Sequence, residues 1–254
     1  MNEATMIGNS SRAIDMWWRL SLLGLIGVAS MLFAPLERIV PTDMSATTLR
    51  LLAVVQPTLL VLAFAALGLW AGRKLGLDSP AVRAWADKKP VLPVLRRQLP
   101  SAAVGGFAAA LLLVGFWQTV IAMPGLEEKL ATFQMPLVTK LLYGGIVEEL
   151  LLRWGLMSFL AWAIWRLSGR PVRIPDWCYW SAIAAAALLF AVGHLPMLYL
   201  LVPEPPAGLV WLVIVGNTLP GLLFGWLFWK RGLEAAMIAH ALAHLFSVIM
   251  LAAL

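Results

Sequence analysis

Five residues that can move protons or stabilise a developing charge lie inside apolar stretches of this chain. Glu148 and Glu149 are adjacent in one stretch, and His194, His240 and His244 are all the histidines of the protein. Titratable side chains in the hydrocarbon core of a membrane are costly, so a group of them there is usually functional. Carboxylates and imidazoles together permit the activation of water beside a polarised carbonyl group.

The spacing of these residues indicates how they are paired. Glu149 and Arg153 are four residues apart with the acid first, which favours an ion pair on one helix face. Glu148 is about 100° further round an α-helix and is therefore free to face elsewhere. His240 and His244 are also four apart, so both rings project from one face. Such a pair suits either one metal ion or one developing oxyanion.

Two chemical mechanisms follow from this set. In the first, Glu148 acts as general base and deprotonates a water together with His194, because a carboxylate in a low-dielectric site is a stronger base than in water. His240 and His244 then stabilise the tetrahedral intermediate. In the second, a zinc ion is held by His194, His240, His244 and Glu148, and its bound water is the nucleophile. The local zinc motif HExxH is absent from the sequence, so that zinc site requires ligands from three separate helices.

The elements that must position these residues are membrane helices. The chain has 254 residues, of which 61% are hydrophobic and 13% charged, whereas soluble domains are about half apolar and a quarter charged. Seven runs reach the roughly 20 apolar residues that cross a bilayer, and none has the alternation of a transmembrane barrel. The predicted fold class is therefore all-α, a polytopic bundle of about seven spans embedded in lipid. The predicted spans are Trp17 to Pro35, Thr48 to Trp70, Ser101 to Met123, Pro136 to Trp165, Trp177 to Val202, Gly208 to Trp229 and Leu233 to Leu254.

Basic residues predict the orientation of the bundle. The even-numbered loops hold twelve Lys and Arg residues, whereas the odd-numbered loops hold Arg38 and Lys129. Lys and Arg accumulate in cytoplasmic loops, so the N-terminus is expected in the cytoplasm and the C-terminus outside. This placement also accounts for the net charge of +6 without a nucleic-acid partner. The lone Cys178 excludes an internal disulfide and a cysteine metal cluster.

Helical rise predicts the depth at which the site lies in the membrane. Counted from the outer end of each span at 1.5 Å per residue, the acids and histidines lie at depths of about 12 to 21 Å. Asn217 comes out at about 13 Å and is a further candidate for the cavity wall.

Residues 1–100 are interpreted as a two-helix membrane extension with a basic cytoplasmic linker from Gly72 to Pro100. Residues 101–254 are interpreted as the five-helix core.

These motifs resemble the CAAX protease and bacteriocin-processing (CPBP) family, which includes type II CAAX prenyl endopeptidases and many bacterial Abi proteins. That family has EExxxR, FxxxH and HxxxN or HxxxD on separate membrane helices. Here the first is carried by Glu148, Glu149 and Arg153, the second by Phe190 and His194, and the third by His240 and His244. The resemblance covers roughly residues 101–254.

The resemblance implies an intramembrane endopeptidase that acts on a membrane-associated protein or peptide. It assigns Glu148 as the base and His194 as its assistant, with Glu149 and Arg153 as support. It also implies a bacterial cytoplasmic membrane as the location, and it leaves zinc as an open alternative. His244 stands where the family usually has Asn or Asp, and we hypothesise that Asn217 supplies the missing amide.

Two other functions compete with this interpretation. A proton-coupled transporter also uses intramembrane Glu and His, but it predicts inverted repeats, and the sequence shows none. A non-catalytic membrane scaffold of the same fold is favoured by a single feature, His244 at the family's Asn position.

Overall fold

Helices account for all regular structure in the described part of the chain. The computed structural model describes residues 3–38, 43–126 and 135–254, so the predicted outer cation Lys129 lies outside the described residues. Seven helices in these ranges are long and apolar enough to cross a membrane, which confirms the predicted fold class. The helices are α1 (Glu3–Ala29), α2 (Ala46–Gly72), α3 (Pro80–Ala86), α4 (Leu92–Ile121), α5 (Leu137–Leu167), α6 (Asp176–Gly193), α7 (Leu195–Leu201), α8 (Ala207–Arg231) and α9 (Leu233–Ala253), with short 3-10 turns at Ser30–Phe33 and Leu36–Arg38.

The third span begins earlier than predicted. It starts at Leu92 rather than Ser101, so the expected boundary at residue 100 falls inside α4. Pro93 occupies the first turn, where a missing N–H breaks no helical hydrogen bond. Pro100 is accommodated within the helix. The basic residues Arg96 and Arg97 thus belong to the first turns of a helix rather than to a linker.

The fourth span has unusually wide turns around the two adjacent acids. Within α5, the stretches Lys140–Glu148 and Leu150–Met157 are π-helical, and Ser158–Leu167 is regular α-helix. Wide turns of this kind are rare and occur preferentially at functional sites. The fourth span therefore departs from the regular helix that the depth calculation assumed.

The fifth span is broken at His194. α6 ends at Gly193 and α7 begins at Leu195, with Pro196 in the first turn of α7. Proline has no N–H and its ring crowds the carbonyl four residues earlier, which interrupts a helix at this point. The histidine therefore lies at a local turn, where its backbone N–H donates to Ala191 O at 3.1 Å instead of to Phe190 O.

One hydrophobic core is shared by helices on both sides of residue 100. Leu20 of α1, Ala65 of α2 and Trp154 of α5 are buried in the same cluster as residues of α4, α6, α8 and α9. The indole Nε1 of Trp154 donates to Ala65 O at 3.1 Å, which ties α5 to α2. The first two helices therefore contribute to the core around the site rather than standing apart from it.

The short helix α3 is fixed to the start of α9 by a buried carboxylate. Oε1 of Glu234 accepts hydrogen bonds from Ser79 Oγ at 2.6 Å and from the backbone N–H groups of Ala81 and Val82 at 2.9 and 3.0 Å. These N–H groups belong to the first turn of α3, where no helical acceptor is available. Glu234 thus caps a helix that is distant in sequence.

Candidate functional site

A cavity of about 490 Å³ lies among five of the spans, and four of the five acidic and imidazole side chains predicted from the sequence meet at its wall. α5 contributes Glu148, the break between α6 and α7 contributes His194, and α9 contributes His240 and His244. Asn217 of α8 lines the same cavity. Most of the remaining wall is apolar, so the polar groups are concentrated where these helices meet.

Glu149 does not line the cavity but connects Arg153, behind the wall, with His240, which lines it. Its Oε1 lies 3.0 Å from Arg153 Nη1 and 2.8 Å from His240 Nδ1. The side chain of Glu149 is fully buried and that of Arg153 is 3% exposed. The predicted ion pair between residues four apart is therefore present, and the same carboxylate also holds an imidazole from another helix.

This contact fixes the protonation pattern of the His240 ring. Arginine is always charged, so its ion-paired partner Glu149 is a carboxylate that can only accept a hydrogen bond. Nδ1 of His240 must then be the donor, and in the neutral ring Nε2 is left with its lone pair. His240 Nε2 lies 3.9 Å from Glu148 Oε2. The neutral ring thus presents an acceptor on the side of Glu148 and becomes a donor there only as imidazolium.

His194 is oriented in a similar way by the backbone. Its Nδ1 lies 2.9 Å from Phe190 O, a carbonyl that the helix break has left without its usual backbone donor. A carbonyl oxygen only accepts, so Nδ1 carries the proton and Nε2 of the neutral ring is a base. The helix break next to Pro196 therefore also determines the direction in which the His194 imidazole points.

Glu148 is the accessible acid of the pair. Its side chain is 24% exposed, whereas that of Glu149 is fully buried. The two adjacent carboxylates thus face different surroundings, as their sequence positions predict. Glu148 can meet water and a substrate in the cavity, whereas Glu149 can act only through Arg153 and His240.

Two phenylalanines enclose the buried charge. The guanidinium carbon of Arg153 lies 5.6 Å from the ring centre of Phe190 and 5.6 Å from that of Phe224. Phe190 meets the His194 ring edge to face with centroids 4.4 Å apart, and Phe224 stacks on His240 at 4.8 Å. These rings exclude water and restrain both imidazoles. Phe224 was missed by the sequence analysis, since a phenylalanine in an apolar helix carries no local signal.

Gly144 gives the two histidines of α9 their space. A Cβ built at Gly144 would lie 3.1 Å from His244 Nε2 and 3.4 Å from His240 Nε2. The His240 and His244 rings are themselves stacked at 30° with centroids 5.0 Å apart. The sequence analysis did not assign Gly144 to the site, because only the packing of α5 on α9 reveals the contact.

Asn217 is only partly available for chemistry. Its Nδ2 donates to Val213 O of its own helix at 2.8 Å, which occupies one of its two N–H groups. The second N–H and the side-chain oxygen carry no hydrogen bond to the described residues. Asn217 thus lies at the cavity wall with one donor remaining.

The residues are not arranged as a metal site. In the described ranges, no three His, Cys, Asp or Glu side chains lie close enough together to hold one ion. This includes the set Glu148, His194, His240 and His244 that the zinc alternative requires. Two of these groups, His240 Nε2 and Glu148 Oε2, are 3.9 Å apart.

Comparison with known proteins identifies the region that contains the site. The sequence pattern of the family described as type II CAAX prenyl endopeptidase Rce1-like matches residues 130–246. The matched region contains all four cavity-lining acid and imidazole residues, together with Glu149 and Arg153. No curated protein and no solved structure matches the chain. Over residues 130–246, this chain is therefore similar to the type II CAAX prenyl endopeptidase Rce1-like family.

Proposed function

We propose that this protein is an intramembrane endopeptidase in which Glu148 and His194 activate a water molecule. The observation that carries the proposal is that Glu148, His194, His240 and His244 line one cavity within the span region. The match of residues 130–246 to a protease family supports the reaction type. The substrate is a protein or peptide that reaches this apolar cavity from the membrane or its surface.

The first step is the attack of water on the scissile carbonyl. Glu148 takes one proton from the water, and Nε2 of His194 accepts a hydrogen bond from its other O–H. The water oxygen bonds to the carbonyl carbon and the carbonyl oxygen becomes an oxyanion. The proton held by Glu148 then passes to the amide nitrogen as the C–N bond breaks, so the carboxylate is regenerated.

The oxyanion is stabilised by the histidines of α9. His244 lines the cavity and makes no hydrogen bond through its ring to the described residues, so the single N–H of its neutral ring is available as a donor. His240 donates from Nε2 as imidazolium, with Glu149 beside Nδ1 to stabilise that charge. In this arrangement Glu149 and Arg153 are positioning residues. Asn217 is a second candidate donor through its remaining N–H.

The direct test is cleavage of a library of membrane peptides by the protein in proteoliposomes, with products identified by mass spectrometry. General-base catalysis contributes about 10²- to 10⁴-fold, so Glu148→Gln should lower the rate by that order. Glu204→Gln is the matched control, because Glu204 is an exposed acid outside this cavity.

The same assay separates the proposal from its rivals. A non-catalytic scaffold predicts no cleavage by the wild type and an unchanged cellular phenotype for Glu148→Gln. A transporter predicts proton flux across the proteoliposome membrane that depends on the same glutamate. Flux without cleavage would reject the peptidase.

A further inference from the structure

Tyr143 lines the cavity five residues before Glu148, and the mechanism above does not use it. Its ring packs against the buried cluster formed by Val28 of α1, Val61 of α2 and Val147 of α5. The ring therefore lies between the packing of the first two helices and the cavity. A phenylalanine would fill the same apolar contacts, so the group that the tyrosine adds is a hydroxyl.

The wide turns of α5 bring Tyr143 and Glu148 onto one face. Five residues of a regular α-helix turn through about 500°, so side chains five apart point about 140° away from each other. The stretch Lys140–Glu148 is π-helical, and in such turns the N–H groups bond to carbonyls five residues earlier. Tyr143 and Glu148 are thus neighbours on successive turns, and the phenol and the carboxylate interact electrostatically. The residue after Tyr143, Gly144, faces the histidines of α9.

The hydroxyl group of Tyr143 has no hydrogen-bond partner among the described residues, and its oxygen is not sealed in the packing. The other two tyrosines differ from it in this respect. Tyr179 donates to Leu75 O at 2.7 Å, and Tyr199 is exposed on α7. A polar group in apolar surroundings is costly unless it is hydrogen-bonded. The partner that remains for Tyr143 is a molecule that enters the cavity.

A phenol suits a developing oxyanion in this particular site. It keeps its proton at neutral pH, so its O–H is a donor whenever Glu148 is a carboxylate. His240, by contrast, donates on the side of Glu148 only as imidazolium, because its Nδ1 is bonded to Glu149. Tyr143 and neutral His244 therefore offer donors from α5 and α9 that require no added proton.

We propose that Tyr143 is a further catalytic residue, whose phenol O–H donates a hydrogen bond to the scissile carbonyl oxygen as this oxygen becomes an oxyanion. The phenol keeps its proton throughout, and the contact is stronger in the transition state than with the neutral substrate. The inference rests on the proposed function for the reaction itself. It also gives α1 and α2 a part in catalysis, since their valines hold the ring at the cavity wall.

Tyr143→Phe tests the role of the hydroxyl group, because it keeps the ring and its packing. Tyr199→Phe is the matched control, since Tyr199 is exposed and does not line the cavity. With one peptide that the reconstituted wild type cleaves, Tyr143→Phe should lower kcat by about 10²-fold, as the loss of one oxyanion donor does. KM should stay nearly unchanged, because the contact is made in the transition state. Tyr199→Phe should match the wild type, and all three proteins should unfold at the same temperature in detergent.

A tetrahedral analogue of that peptide tests the contact without turnover. In the analogue, a phosphinate replaces the scissile amide and carries the negative charge of the oxyanion. Tyr143→Phe should bind this phosphinic peptide more weakly than Tyr199→Phe does, by about the same factor as its loss in kcat. Equal affinities of the two variants would overturn the proposal.

The cleavage assay separates this inference from the proposed function. Cleavage by Tyr143→Phe at the rate of Tyr199→Phe would overturn the inference and leave the peptidase intact. So would a Tyr143→Phe activity that returns to the wild-type rate at higher pH, as is expected if the hydroxyl group instead stabilises the Glu148 carboxylate. No cleavage of any peptide by the wild type would reject the proposed function, and the role of Tyr143 with it.

Discussion

Glu149 is the residue on which the geometry of the site most depends, although it cannot touch a substrate. It lies between the buried guanidinium of Arg153 and Nδ1 of His240. Removing one partner of a buried ion pair leaves an uncompensated charge, at a cost of about 3–5 kcal/mol. The position of the imidazole therefore depends on an ion pair behind the cavity wall.

We predict that Glu149→Gln and Arg153→Met each lower both thermal stability and cleavage, and that the double variant loses less stability than the two single losses combined. The single variants each leave one buried charge unpaired, whereas the double variant leaves none. A double-mutant cycle on the free energy of unfolding in detergent measures this coupling. Additive losses would show that the two charges act independently.

Gly144→Ala tests how closely α5 must approach the histidines. The new methyl group would contact both His244 and His240, and a displacement of about 1 Å in a site can cost about 10²-fold in rate. We expect a loss of that order in cleavage with a small change in stability. Gly115→Ala is the matched control, because a Cβ at that position meets nothing within 4 Å. Equal activity of the two variants would contradict the prediction.

At the scale of elements, the break in the fifth span ties the sequence pattern FxxxHLP to the orientation of His194. With Pro196 replaced by alanine, a continuous helix becomes possible and the backbone N–H of His194 can return to Phe190 O. That carbonyl is the acceptor that now holds the imidazole at 2.9 Å. Pro196 thus influences the orientation of His194 through one hydrogen bond, the one from Nδ1 to Phe190 O.

We therefore expect Pro196→Ala to lower cleavage by about tenfold or more, as misorientation of a catalytic group does, while the protein stays folded. Pro100→Ala is the control, since Pro100 also lies within a span but far from the cavity lining. The measurement is the cleavage rate of one identified peptide at equal concentrations of folded protein. A cleavage rate of Pro196→Ala equal to that of the control would show that the helix break does not contribute to catalysis.

The spans themselves could be predicted from the sequence, because long apolar runs between charged loops determine them. Most predicted ends lie within a few residues of the observed ones. The exceptions are α1, which begins at Glu3 rather than at Trp17, and α4, since Pro93, Arg96 and Arg97 are more typical of a linker than of a helix start. Helix periodicity also predicted the pairing of Glu149 with Arg153.

The remaining features of the site depend on which helix faces which. The hydrogen bond from His240 to Glu149 joins residues 91 positions apart, and no spacing rule predicts such a contact. The roles of Phe224 and Gly144 likewise follow from packing of α8 and α5 against α9. A single sequence supplies the residues of the site but not their neighbours across helices.

At the scale of the whole molecule, the first three helices support the site although the family match begins after them. Trp154 donates to α2, and Tyr179 of α6 donates to Leu75 O at 2.7 Å, just after α2. Both donors would lose their acceptors in a chain that begins at α4. Unsatisfied polar groups in an apolar surrounding are costly.

We predict that a protein lacking residues 1–91 is less stable and does not cleave, and that co-expression of 1–91 with 92–254 restores both properties. Size-exclusion chromatography in detergent and the peptide assay give the readout. A monodisperse 92–254 fragment with full activity would show that the core functions alone.

The central claim is that Glu148 activates water without a metal ion. The most direct measurement is the single-turnover cleavage rate of one identified peptide by the wild type and by Glu148→Gln, with metal content determined on the same preparations. The account predicts a loss of about 10²- to 10⁴-fold in the variant and a wild-type rate that neither follows metal content nor falls with a chelator. Equal rates for the two proteins, or a wild-type rate that rises with bound metal and is abolished by chelation, would contradict it.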